Sequence, residues 1–80
     1  MSSNYLKFSP LARSIAYFVF RSEETSYDSI KEKFGKRRTE IGIKEIMSQN
    51  PTLLIFNPEK ETYQPSAYLE MTIKTLRNFY

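Results

Sequence analysis

The chain is expected to be mainly α-helical with a small β-hairpin, on three observations. Apolar residues recur at helical spacing in four segments of the 80-residue sequence, each opened or closed by Ser, Thr, Gly or Pro. Between Pro51 and Pro65 that spacing is replaced by two short β-branched and apolar runs on either side of Asn57-Pro58. Prolines at 10, 51, 58 and 65 mark where helix or strand must begin, turn or stop.

Helix one starts at Ser9-Pro10, because Ser can accept from an orphan first-turn amide and Pro at the first helical position lacks only an N–H that would go unpaired. It runs to about Ser22 with one face of Leu11, Ile15, Phe18 and Val19 and an adjacent row of Ala12, Ala16 and Phe20. Being apolar around much of its circumference, it belongs at the centre of the core. Thr25 and Ser26 restart the pattern. Tyr27, Ile30 and Phe34 then make a two-turn second helix that Gly35 can close in a left-handed conformation.

Lys36, Arg37 and Arg38 follow, and Thr39 is the expected cap of helix three. Ile43, Ile46, Met47 and Asn50 carry that helix until Pro51 ends it, with Ile41 off the main stripe and turned toward helix two. Strands are expected at Thr52 to Phe56 and Glu61 to Gln64. Because an isolated hairpin is marginal in water, Leu53, Ile55 or their neighbours must pack on the helices. Ser66 caps a last helix carrying Leu69, Ile73, Leu76 and Phe79 or Tyr80. Three helices, a two-stranded hairpin and a closing C-terminal helix in this order are the winged-helix plan. It is read as a single domain over residues 1–80, with 1–8 as a flexible N-terminal arm.

Composition narrows function. A chain of 80 residues supports one modest core, and 40% apolar with 15% aromatic residues is ample to fold it. It contains no His and no Cys, which removes the usual general base, the commonest metal ligands and any disulfide. The nine Asp and Glu are scattered among Lys and Arg, as solvated carboxylates are. A non-enzyme without cofactor, metal or small-molecule ligand is therefore expected. No apolar run reaches the length of a membrane span and no signal peptide opens the chain, so no membrane role is expected. The net charge of +3 permits contact with nucleic acid without requiring it.

Two constellations carry a function. Lys36-Arg37-Arg38 stands at the entrance to helix three, where the positive end of the helix dipole opposes cations and a phosphate would satisfy both. With Lys44 on the exposed face of that helix, these are the expected DNA-binding residues. The competing reading of the run is a charged, solvated loop. The same face carries Glu40 and Ser48 and lacks Asn, so strong base specificity is not expected. The wing tip, Asn57-Pro58-Glu59-Lys60-Glu61, is acidic and suits a phosphate groove poorly. Aromatic surplus is the second constellation: Tyr5, Tyr17, Phe20, Tyr63, Tyr68 and Tyr80 exceed what a small core needs. Phe20, Tyr63 and Tyr68 are the expected partner-binding residues.

"LKFSPLARSIAYF", "IGIKEIMSQNPTLLIF" and "TYQPSAYLEMTIKTLRNF", in that order, resemble the winged-helix core of the beta subunit of the general transcription factor TFIIE. The resemblance is carried by Phe8 and Leu11, Ile41-Gly42-Ile43-Lys44, Asn50-Pro51, Tyr63, Pro65 and Leu76, and so spans about residues 8–76. It implies a nuclear initiation factor that works beside RNA polymerase II, pairs with an alpha-type subunit and contacts double-stranded DNA. This sequence departs from the family in its short segment between helices two and three and in its acidic wing tip.

The resulting expectation is a non-catalytic winged-helix module of the RNA polymerase II initiation machinery, located in the nucleus. It would bind double-stranded DNA weakly and largely without sequence choice, through the phosphate backbone, and contact partner subunits. Two alternatives stay open: a winged helix that binds protein partners and no DNA, and a viral or plasmid repressor that binds DNA as a homodimer.

Overall fold

The computed structural model describes residues 7–79, with side chains described to Thr75. In chain order the elements are α1 (Pro10–Ser22), β1 (Thr25–Ser26), α2 (Tyr27–Phe34), α3 (Lys36–Gln49), β2 (Leu54–Asn57), β3 (Thr62–Pro65) and α4 (Ala67–Phe79). The three strands form an antiparallel sheet in the order β1-β3-β2.

α1 begins where Ser9 and Pro10 require. The Ser9 hydroxyl accepts from the Ala12 N–H, satisfying one orphan first-turn donor. Ser26 does the same for α2 through the Ser29 N–H. Gly35 closes α2 at φ 94° as its lack of Cβ allows. Its ψ of 151° is extended, not left-handed helical, so the chain leaves α2 and enters α3 within one residue.

That junction corrects the start of helix three. Thr39 is not its cap, because Lys36, Arg37 and Arg38 are already helical. Thr39 is instead fully buried, with its hydroxyl donating to the Ile30 carbonyl of α2 at 3.3 Å. A cap signal and a buried Thr bridging two helices look alike in sequence, since both need a short hydroxyl near a helix start.

The hairpin is as expected in place, and the sheet has one strand more. β1 is only Thr25 and Ser26, paired with Tyr63 and Thr62 of β3. So short a strand has no alternation to reveal it, and the cap function of Ser26 masks the rest. Pro65 falls inside β3, opposite Leu54.

Leu53 and Leu54 are both buried, while Ile55 is 52% exposed. Leu53 lies before the strand, in a bend where its N–H donates to the Asn50 carbonyl and its carbonyl accepts from the Ser66 N–H. Strand alternation therefore starts at Leu54, which turns Ile55 to the outer face.

The core joins every helix to the hairpin: Ala12, Ile15, Ala16 and Val19 of α1, Ile30 of α2, Ile43 and Ile46 of α3, Leu54 and Tyr63 of the sheet, and Leu69 and Ile73 of α4. Phe8 also belongs to it at 3% exposed, so the proposed N-terminal arm cannot extend that far. Residues 1–6 of that arm lie outside the described residues. So do the side chains of Leu76, Phe79 and Tyr80 expected on the last helix. At Gly42 α3 packs tightly on α1: a Cβ built there would fall on the Ile15 δ-methyl and lie 3.5 Å from Leu11 Cγ.

Candidate nucleic-acid interface

Lys36, Arg37 and Arg38 occupy the first turn of α3, and all three are exposed. Gly35, the cap residue, offers no side chain to their orphan amides, and the turn contains no acidic residue. A helix end without a side-chain cap and three exposed cations thus lie together, an arrangement that favours an anion.

Lys44 is exposed two turns further on, seven residues after Arg37 and so on the same helical face. None of the four cations has an ion-pair partner among the described residues. Glu40 stands four residues before Lys44, a spacing that suits an ion pair, yet the two form none, whereas Asp28 and Lys31 of α2 do pair at 3.2 Å. Ile41 does not turn toward α2 as expected. It is 52% exposed and lies among the cations. The buried face of α3 is Thr39, Gly42, Ile43 and Ile46, which leaves Arg37, Glu40, Ile41, Lys44 and Ser48 outward.

The turn between β2 and β3 carries the opposite charge. It is set by Asn57, whose Oδ1 accepts from the N–H groups of Glu59 and Lys60 at 3.0 and 3.3 Å. Pairing of β1 with β3 brings Glu24 to this tip, where it accepts from the Thr62 hydroxyl at 2.8 Å. That bond lowers the Glu24 pKa below its ordinary value, outweighing the opposing desolvation, with Lys60 and Gln64 adding to the lowering. Glu23, Glu24, Glu59 and Glu61 are all exposed. The sequence did not reveal that Glu24 joins the tip, because the contact depends on the unforeseen β1.

The expected partner-binding aromatics divide. Tyr63 is 8% exposed, with ring centroids 4.9 Å from Phe56 and 6.4 Å from Tyr27, so it is a core residue and presents no face to a partner. Burial first, and Tyr27 second, hold its phenol above the ordinary pKa. The exposed aromatic on that part of the sheet is Phe56. Phe20 and Tyr68 are half-buried against the core. Phe20 also packs 5.9 Å from Tyr17 and lines an open groove of about 480 Å³ with Glu23, Gln64, Pro65, Glu70 and Lys74.

No helix among the described residues is long and apolar enough to cross a membrane. No family model, curated protein or solved structure matches the chain.

Proposed function

We propose that the chain is a winged-helix module that binds double-stranded DNA through phosphates, weakly and with little sequence choice, as a non-catalytic part of the RNA polymerase II initiation machinery in the nucleus. The observation that carries the DNA reading is the set of exposed cations Lys36, Arg37, Arg38 and Lys44, without ion-pair partners among the described residues, on one helix whose positive end is uncapped by any side chain. In this reading each cation neutralises a phosphate and releases condensed counterions, which drives association and makes it salt-dependent. Non-specific affinity in this class is about 10⁻⁴ to 10⁻⁶ M at physiological salt.

The winged-helix reading is supported by the order of helices and strands, with β1 supplying a third strand between the first two helices. The place in transcription initiation, beside an alpha-type subunit and the polymerase, rests on the resemblance to the TFIIE beta core. Residues that carry that resemblance have structural duties here: Phe8 is buried, Gly42 admits Ile15, Asn50 accepts from Thr52, and Tyr63 is core. They support kinship of fold more than kinship of contact.

A second reading, a protein-binding winged helix, is favoured by the acidic wing and by the groove that Phe20 lines. Duplex binding at about 50 mM salt separates the two. The DNA reading predicts binding by the intact chain and its loss in Arg37→Ala/Arg38→Ala, with unchanged circular dichroism. Equal binding by both proteins, or none by the intact chain, would overturn it.

A further inference from the structure

We infer that Ile41 is a base-contacting residue of α3, reading the C5-methyl of thymine in the major groove; this deepens, and rests on, the phosphate-binding reading of that helix. Ile41 is 52% exposed in a helix whose other two isoleucines, Ile43 and Ile46, are 7% and 0% exposed. A β-branched side chain gains nothing for a helix when left in water. Its surroundings are what set it apart from an incidental exposed apolar residue. Arg37 and Arg38 precede it by four and three residues and Lys44 follows by three, the spacings that place side chains side by side on a helix.

An apolar centre is thus framed by three cations without ion-pair partners among the described residues, the fourth neighbour, Glu45 at four residues on, having its carboxylate engaged by Ser9. The occupant this fits presents negative charge at its margins and an apolar group between them. In the major groove phosphates line both walls and the thymine methyl projects into the space between. Arg37 to Lys44 spans roughly 10 Å of helix, comparable to a groove about 12 Å wide. Glu40 shares the exposed face. It is repelled by phosphate but can accept from a cytosine amino group, so its place is also toward the base edges and away from the walls.

Two duplexes of one sequence, one with every thymine replaced by deoxyuridine, remove the methyl groups and keep every phosphate. Fluorescence anisotropy at several salt concentrations should show the intact chain losing about two- to fourfold in affinity on methyl removal, the size expected for one buried methyl. Ile41→Ala should bind both duplexes equally, at the intact chain's level on the deoxyuridine duplex. The salt slope should be the same throughout. Salt-dependent binding by the intact chain with no methyl effect would overturn the assignment while leaving phosphate binding standing. An equal methyl effect in Ile41→Ala would show that another residue reads the methyl. No duplex binding by the folded chain would overturn both readings, and would leave the basic, Ile-centred face to an acidic protein surface.

Discussion

Glu45 of α3 holds Ser9, the cap residue of α1, through both carboxylate oxygens: Oε2 accepts from the Ser9 N–H at 2.8 Å and Oε1 from its hydroxyl at 2.7 Å. The same hydroxyl accepts from the Ala12 N–H at 3.2 Å, so it donates to one helix while capping the other. A carboxylate is also favourable beside the positive end of α1. Glu45→Ala should therefore cost about 1–3 kcal/mol in urea denaturation, and Glu45→Gln less, since one acceptor oxygen survives. Combined with Ser9→Ala, the loss should fall short of the sum by about 0.5 kcal/mol or more, because both changes remove the bond between the Ser9 hydroxyl and Glu45. Additive losses would contradict the coupling.

Gly42 and Ile15 make a sharper double-mutant test. In an ordinary helix interior Gly→Ala stabilises by about 1 kcal/mol. Here the new methyl would fall on the δ-methyl of a fully buried Ile15, so Gly42→Ala should destabilise, by about 1 kcal/mol net. Ile15→Val deletes the obstructing methyl and alone costs about 0.5–1.5 kcal/mol. In that background Gly42→Ala should change sign and stabilise, as read from thermal or urea midpoints.

Ser66 ties α4 to the loop before the hairpin. Its hydroxyl donates to the Leu53 carbonyl at 2.8 Å and accepts from the Leu69 N–H at 3.1 Å, and the side chain is buried. Ser66→Ala leaves that cap donor without its partner, at a cost of about 1–2 kcal/mol. Amide hydrogen exchange should quicken in the first turn of α4 before it does in α1.

Tyr63 gives a pH dependence of known sign. Its phenol is held above the ordinary value near 10, chiefly by burial, so the native state favours the protonated form. The associated stability is fully present below the unfolded value and is lost as pH rises through the raised folded value. Urea midpoints measured from about pH 8 to pH 11 should fall more steeply for the intact chain than for Tyr63→Phe, which has no proton to lose. Glu24 has the opposite sign: its lowered pKa contributes stability above the unfolded value that is lost as pH falls through the folded one.

Much of this architecture was legible in the residues, and what escaped did so for local reasons. Ser9-Pro10, Ser26, Asn57 and Ser66 each specify a boundary through one short polar side chain, and each stands where its chemistry predicts. The basic residues of α3 were legible as a cluster and misplaced by one turn, because Gly35 links two helices without a loop. Ile55 and Tyr63 were misjudged for related reasons. A bend at Leu53 shifts the inward positions of the hairpin, and Tyr27, which follows β1, packs with Phe56 against Tyr63. Both depend on long-range contacts that no local pattern encodes.

The measurement to make first is the dependence of duplex DNA affinity on salt, by fluorescence anisotropy, for the intact chain and Arg37→Ala/Arg38→Ala. Four phosphate contacts through Lys36, Arg37, Arg38 and Lys44 predict a log–log slope of about −3 to −4 for the intact chain and about −2 for the double variant. A slope near zero, or one unchanged by removing both arginines, would contradict a phosphate-binding α3.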